Sequence, residues 1–151
     1  MKVLIGYLSY SGNTEEIAEL IANELHKNNI KFDMVDIGYD DLPDLGDYEH
    51  VFLGTFTWDE GALPDEFHSF IENTNHKIPK NTYVFGSGET QFGGDELFCK
   101  ATNRLADFYK SKVLPLKIEQ SPRGSQEKKV TKWFYDNIFD KLCWQIQLIM
   151  I

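Results

Sequence analysis

The chain has 151 residues, of which 42% are hydrophobic and 26% charged, so a disordered or collagen-like chain is excluded and a single globular domain, 1–151, is expected. Its two cysteines have no paired spacing, which excludes a disulfide scaffold and a cysteine zinc site. The net charge of −9 argues against a nucleic-acid partner, because binding phosphates requires clustered Lys and Arg.

The amino-terminal residues and the hydropathy pattern bear on the cellular location of the protein. The apolar run that begins at Val3 is very short and follows a single charge, unlike a signal peptide. No apolar run approaches the roughly 20 residues of a membrane-spanning helix. We therefore expect a soluble, cytoplasmic protein with no membrane partner.

Five predicted strands alternate with predicted helices along the chain. The strands are expected at Lys2–Ser9, Ile30–Ile37, His50–Thr55, Asn81–Ser87 and Lys112–Glu119. The helices are expected at Thr14–Lys27, Pro64–Asn73, Asp95–Lys110 and Ser125–Cys143, with room for a short one within Asp41–Tyr48. Apolar runs mark the strands, and apolar residues recur at helical spacing in the helices. This alternation predicts an α/β fold with parallel strands, right-handed crossovers and helices on both faces of the sheet.

On such a sheet a ligand binds at the carboxyl ends of the strands, so the loops after the first, third and fourth strands form the candidate site. The first loop consists of Ser9, Tyr10, Ser11, Gly12, Asn13 and Thr14. The free N–H groups at the start of the following helix, together with these polar side chains, make an anion site, and Gly12 lets the backbone close around the anion. The alternative is an ordinary helix start with Ser11 or Thr14 as its capping residue.

The residues of these loops exclude several other sites. The first loop lacks the Lys of a phosphate-binding NTPase loop and the three glycines of a dinucleotide fingerprint. It also lacks a phosphatase Cys, and no pair of acids follows the first strand, as a phospho-acceptor receiver domain would need. The third loop starts with Gly86-Ser87-Gly88, but Gln91 stands where a third glycine should be. The histidines share no metal spacing, and we expect them at the surface or as caps: His26, His50, His68 and His76.

An aromatic residue stands among polar residues in each of the other two loops. The second loop contains Trp58, and the third contains Phe92. A wide apolar ring in a polar loop suits stacking on a planar ligand, although each ring alone is more often a packing residue. Together with the first loop, the two rings predict a flat aromatic cofactor with a phosphorylated tail.

The three loops resemble those of the flavodoxins, and specifically of the short-chain type. The resemblance rests on the first loop with Glu15 and Glu16, on Gly54–Trp58 with Leu63–Phe67, and on Gly86–Glu89 with Leu97–Ala101. It extends to about Asp140, and no insertion follows the fifth strand. The resemblance implies a flavodoxin-like three-layer α/β/α sandwich with a five-stranded parallel sheet in the order 2-1-3-4-5. It also implies a non-covalent FMN cofactor.

The resemblance further implies which residues bind FMN. The first loop would hold the phosphate, Trp58 would stack on the inner face of the isoalloxazine ring, and Phe92 would stack on the outer face. Phe98 lies on the apolar stripe of the next helix, where we expect it in the core, and it is also a candidate cofactor-binding residue. The candidate cofactor-binding residues are Ser9, Tyr10, Ser11, Gly12, Asn13, Thr14, Thr55, Phe56, Thr57, Trp58, Asp59, Glu60, Gly61, Ser87, Gly88, Glu89, Phe92 and Phe98.

Several features depart from the family pattern. Asp59 follows Trp58 where the family often has Gly. In the family this peptide turns over when the flavin gains an electron, and a non-glycine residue resists the positive φ involved. Phe92 lacks the hydroxyl of the frequent Tyr, and Gly93-Gly94 lengthens the third loop. The segment Cys143–Ile151 runs past the usual end, either as a helix end or frayed tail or as a partner-binding extension.

The resemblance implies an electron carrier rather than an enzyme. FMN would carry electrons at low potential from a flavodoxin reductase to an electron-accepting enzyme. Residues 1–66 carry a net charge of −12, whereas residues 67–151 carry +3. An acidic face around Asp59, Glu60, Asp65 and Glu66 would therefore steer the protein, expected to be a monomer, toward basic partner surfaces.

Two other functions stay open on the sequence. Arg104-Leu105 and Val113–Glu119 resemble the flavodoxin-like activator of the dimanganese class Ib ribonucleotide reductase. Trp58 and the acids Asp65 and Glu66 resemble true flavodoxins instead. The remaining function is an interaction module that has lost FMN, and the intact first loop argues against it.

Overall fold

The computed structural model describes residues 2–57, 61–88 and 99–143. Its five strands form one sheet in the order β2-β1-β3-β4-β5, and every neighbouring pair is parallel. The strands are β1 (Val3–Tyr7), β2 (Asp33–Asp36), β3 (His50–Phe56), β4 (Asn81–Gly88) and β5 (Leu116–Glu119). The helices are α1 (Asn13–Lys27), α2 (Asp65–Asn73), α3 (Lys100–Phe108) and α4 (Ser125–Asn137). The predicted fold class and strand order are confirmed.

The central strands are buried on both faces, and successive side chains alternate between two cores. Val3 and Ile5 of β1 belong to the core that α1 and α4 cover, whereas Leu4 belongs to the core that α2 and α3 cover. The aromatic side chains of the first core include Phe52, Tyr83, Phe85, Trp133 and Phe134. Those of the second core include Phe67, Phe70 and Tyr109. The near-continuous apolar runs in the sequence thus supply two cores at once.

The two edge strands are shorter than the sequence predicted. The predicted second strand began at Ile30, but the N–H of Ile30 donates to the carbonyl of Leu25 and so closes the end of α1. The predicted fifth strand began at Lys112, whereas pairing with β4 starts at Leu116 opposite Phe85. Pro115 immediately precedes that pair and has no N–H to donate to a strand ladder.

Three further expectations are corrected. The short helix expected within Asp41–Tyr48 is a single 3-10 turn at Leu45–Asp47, and the Asp44 carboxylate at its start accepts a hydrogen bond from the N–H of Gly46. The last predicted helix ends at Asn137, and residues 139–143 are helical again after a turn. His50 is buried rather than at the surface, with Nδ1 2.8 Å from the Tyr83 hydroxyl.

Some expectations fall on residues that the structure does not describe. These are the start of the predicted third helix, residues 95–98, and the carboxyl-terminal segment after Cys143. Both cysteines are free thiols, and Cys99 is buried. Among the residues described, no helix combines the length and the apolar composition needed to cross a membrane.

Candidate functional site

The strand register brings the first, second and third loops to one edge of the sheet. Tyr7, the last residue of β1, pairs with Gly54 of β3. Phe56, the last residue of β3, pairs with Ser87 near the end of β4. Because all three strands are parallel, the loops that follow them open at the same carboxyl edge, as the sequence predicted.

The first loop ends in a helix start that carries no side-chain cap. Gly12 is the N-cap residue of α1, with φ of 94°, and no side chain caps this end. Ser11 and Thr14 are therefore not capping residues, contrary to the alternative that the sequence left open. The N–H of Gly12 donates to Ser9 Oγ over 3.1 Å. The first N–H groups of a helix have no partner within it, so those of α1 are available to a bound anion.

Thr14 connects the first loop to the third. Its side chain is 1% exposed, and its hydroxyl lies 2.8 Å from the hydroxyl of Ser87. The contact joins residues 73 positions apart and fixes the start of α1 against the end of β4. Two of the predicted cofactor-binding residues thus lie side by side beneath the first loop.

The described part of the second loop is held between β4 and α3. Thr57 accepts a hydrogen bond from the N–H of Ala101 through its hydroxyl, at 3.3 Å, and its own N–H donates to the carbonyl of Ser87, at 3.2 Å. The buried Thr55 hydroxyl donates to the carbonyl of Phe56, at 3.0 Å. Gly61 has φ of 90°, a conformation that favours glycine. These contacts set the path of the loop on either side of Trp58.

The third loop is described at its beginning, Ser87 and Gly88. The carbonyl of Gly88 accepts a hydrogen bond from the N–H of Gln120 at 2.8 Å, which ties the start of the loop to the end of β5. The predicted site residues outside the described part of the chain are Trp58, Asp59, Glu60, Glu89, Phe92 and Phe98. Their roles remain predictions from the sequence.

The structure also gives Tyr10 two contacts that the sequence did not indicate. Its ring lies 4.6 Å from that of Phe56, centroid to centroid, and its hydroxyl donates a hydrogen bond to the carboxylate of Glu66. This hydrogen bond is the first cause of a rise in the pKa of Tyr10 to about 12. Residues 56 positions apart are joined here, and no local pattern could have found the pair.

A second contact missed from the sequence is that of Lys100 with Gly61. A Cβ atom at Gly61 would lie 2.6 Å from Lys100 Cδ, so the stem of this lysine packs on the second loop. Lys100 occupies the first turn of α3 and thus contacts the end of the second loop at Gly61. The one sequence signal for a role of Lys100 at the site was that it belongs to Leu97–Ala101, a segment that carries the flavodoxin resemblance.

Negative charge surrounds the other side of the first loop. The pKa of Tyr7 is raised to about 12, first by burial and then by the carboxylates Glu15, Asp36, Asp40 and Glu19, in that order. The first loop itself contains no Lys or Arg. An anion bound there would thus be held by neutral dipoles, as the sequence predicted.

Comparison with known proteins decides the family. The flavodoxin family model matches residues 5–133. The chain belongs to the flavodoxin family. A probable flavodoxin 2 of Bacillus subtilis (strain 168) is 39% identical over 139 residues, which cover 85% of this chain and 89% of that protein.

Two solved structures place this chain among flavodoxins of known fold. Oxidised flavodoxin 2 from Bacillus cereus has a TM-score of 0.76 at 31% identity, covering 91% of this chain and 100% of that one. A Fusobacterium nucleatum flavodoxin bound to flavin mononucleotide shares the fold, with a TM-score of 0.69 at 17% identity and coverage of 89% and 95%. Flavodoxins are electron carriers whose cofactor is FMN, and both properties come to this chain with its family.

The described residues of the first loop fit the phosphate of FMN. The helix start is free of side-chain caps, and a Cβ at Gly12 would meet nothing within 4 Å, so the space beside the loop is open. A phosphate monoester matches such a site, because backbone N–H groups and hydroxyls donate hydrogen bonds while the helix dipole favours negative charge.

Proposed function

We propose that this protein is a low-potential electron carrier that binds FMN through the residues predicted from the sequence. The observation that carries the proposal is the uncapped start of α1 behind the first loop, in a chain of the flavodoxin family. Ser9, Ser11 and Asn13 donate hydrogen bonds to the phosphate beside the helix N–H groups. The buried pair of Thr14 and Ser87 supports the loop from below.

The isoalloxazine ring lies between the second and third loops, with Trp58 on its inner face and Phe92 on its outer face. Bound FMN supplies one- and two-electron redox chemistry. The chain's part is to hold the ring, exclude water from its inner face and set the local electrostatic field. The hydrogen bonds of Thr57 to α3 and β4 support this arrangement, because they fix the second loop next to Trp58.

Acidic side chains near the ring bias its reduction. Asp65 is exposed and Glu66 half-buried in the first turn of α2, directly after the second loop. With Asp59, Glu60 and Glu89 they place negative charge around the cofactor. Their field disfavours the extra negative charge of reduced flavin, which makes the reduced protein a stronger reductant.

The redox partners are a pyridine-nucleotide-dependent flavodoxin reductase, as donor, and an enzyme that requires low-potential electrons, as acceptor. Both dock on the acidic face around Asp59, Glu60, Asp65 and Glu66, where electron transfer needs close approach to the flavin edge. The protein acts as a single-domain monomer in the cytoplasm. Charge complementarity with a basic partner surface supports this choice of face.

The comparisons do not favour the ribonucleotide reductase activator. The relatives reported above carry the name flavodoxin. Part of the sequence resemblance to the activator also falls on Leu105, Leu116 and Ile118, which are buried core residues. Core residues of this kind reflect the packing of the fold and carry no information about a partner.

The test is the flavin content of the purified protein and its reduction. Acid extraction and chromatography are expected to give FMN at one per chain, and apoprotein is expected to take up FMN in preference to FAD. The reduced protein is then expected to pass its electrons to an acceptor such as cytochrome c. FAD as the extracted flavin, or no uptake of flavin from excess FMN, would overturn the proposal.

A further inference from the structure

Tyr10 is an exposed side chain that is nevertheless held at both ends. Its side chain is 60% exposed, yet its ring lies against Phe56 and its hydroxyl donates to the carboxylate of Glu66. An exposed tyrosine on a loop is ordinarily free to change rotamer. Fixing it costs conformational entropy, so the two contacts indicate a defined task for this residue.

The two contacts join three segments of the site. Tyr10 belongs to the first loop, Phe56 ends β3 at the entry to the second loop, and Glu66 lies in the first turn of α2. Two other hydrogen bonds order the first loop: the N–H of Gly12 donates to Ser9 Oγ, and the hydroxyl of Thr14 lies against that of Ser87. Tyr10 ties the same loop to α2.

The conformational order of the first loop matters most for the phosphate, since that is the part of the ligand that this loop would contact. A loop that is already in its binding conformation loses less freedom when it closes on a phosphate, and this raises affinity. The hydrogen bond from Tyr10 also holds the Glu66 carboxylate close to the first loop. Riboflavin has no phosphate, so its affinity does not depend on that loop in the same way.

We propose that Tyr10 is a positioning residue that makes this site select FMN over riboflavin. The proposal rests on the proposed function, since it assumes that the first loop holds the phosphate. Tyr10 acts through the loop backbone, by way of its hydrogen bond to Glu66. The ring contact with Phe56 keeps the hydroxyl in reach of that carboxylate.

The test uses Tyr10→Phe, which keeps the ring and removes the hydroxyl. Apoprotein is titrated with FMN and with riboflavin, and binding is followed by quenching of flavin fluorescence. FMN is expected to bind about 3- to 10-fold more weakly, the effect of one net hydrogen bond, and riboflavin within about 2-fold of wild type. In a Glu66→Leu background, Tyr10→Phe is expected to leave the ratio of the two affinities unchanged, since the partner is already gone.

Tyr48→Phe is the matched control. The Tyr48 hydroxyl donates to Asp33 Oδ2 at 2.6 Å, so the substitution removes the same kind of hydrogen bond. Tyr48 precedes β3 and lies at the opposite end of the sheet from the flavin loops. Tyr48→Phe is expected to lower the thermal unfolding temperature without changing the FMN-to-riboflavin ratio.

The outcomes separate this inference from the proposed function. If wild-type apoprotein binds neither flavin, the proposed function fails and this inference fails with it. If wild type binds FMN and Tyr10→Phe weakens both flavins equally, or neither, the positioning role of Tyr10 is wrong while the proposed function stands. A loss confined to FMN that disappears in the Glu66→Leu background supports the inference.

Discussion

At the scale of single residues, our proposal has the aromatic side chains of Trp58 and Phe92 stack on the two faces of the flavin ring. Trp58→Ala is expected to weaken FMN binding by about 1–3 kcal/mol, the usual worth of stacking a planar base on an aromatic ring. Phe92→Ala is expected to cost less, because an outer ring is more exposed to water. Fluorescence titration of the apoproteins measures both.

Trp133→Phe serves as the control for the loss of a tryptophan. Trp133 is 7% exposed in α4, and its indole N–H donates to the carbonyl of Leu114 at 2.8 Å. Its substitution is expected to lower stability and leave FMN affinity unchanged. Wild-type affinity in Trp58→Ala would mean that another residue forms the inner face.

We expect Asp59 to make the peptide after Trp58 harder to turn over than a glycine would. A left-handed conformation costs a non-glycine residue about 1–2 kcal/mol, which corresponds to roughly 40–90 mV for a one-electron couple. We expect the neutral one-electron-reduced flavin to accumulate incompletely in wild type and more fully in Asp59→Gly. Anaerobic titration with dithionite, followed at long wavelength, gives the yield in both. An unchanged yield would show that this peptide does not limit the reduction.

At the scale of secondary-structure elements, α3 packs closely on β4. A Cβ at Gly86 would lie 1.8 Å from Thr102 Oγ1 and 2.9 Å from the carbonyl oxygen of Thr55. Gly86→Ala is therefore expected to destabilise the protein by about 1–3 kcal/mol, the cost of overpacking a tight core. Unfolding in urea measures the difference.

Gly38→Ala provides the comparison for Gly86→Ala. A Cβ there would lie 3.4 Å from Leu8 Cδ1, an ordinary van der Waals contact. We expect its free energy of unfolding to stay within about 0.5 kcal/mol of wild type, as for most surface substitutions. Equal losses of stability at Gly38 and Gly86 would indicate that the close approach of α3 to β4 does not set the cost of Gly86→Ala.

At the scale of the whole molecule, charge is distributed unevenly between the two halves of the chain. The half with a net charge of −12 contains the four acids of the proposed docking face, and the half with +3 contains α3 and α4. Reduction by a flavodoxin reductase is expected to slow as salt rises, because charges are screened over about 8 Å at physiological ionic strength. Stopped-flow rates at several salt concentrations test this.

Neutralising single acids locates the docking surface. Asp65→Asn is expected to reduce both the rate at low salt and its salt dependence. Asp47→Asn makes the same charge change in the exposed turn before β3, at the other end of the sheet, and is expected to change neither. A rate that does not depend on salt would remove the argument for an acidic docking face.

The amino-acid sequence was enough to predict the fold class, which the structure confirms, and to predict where the candidate site lies. Hydrophobic periodicity is a local property, so buried strands such as Val3–Tyr7 and helices such as Asn13–Lys27 could be predicted within a few residues. Parallel strands place their following loops at one edge, so the order of the loops along the chain sufficed to locate the site. The three loop motifs also predicted the family, which the comparisons confirmed.

The tertiary structure alone decided how the loops are joined. Thr14 meets Ser87 and Tyr10 meets Glu66 across 73 and 56 positions of sequence, and such contacts depend on how helices pack on the sheet. The start of α1 at Gly12 has no side-chain cap, and the hydroxyl of Thr14 lies against Ser87 of β4 instead. The edge strands start later than predicted, because Ile30 closes the end of α1 and pairing of β5 with β4 begins only at Leu116. Strand pairing requires a partner in register, and the apolar pattern of one strand does not encode where that partner lies.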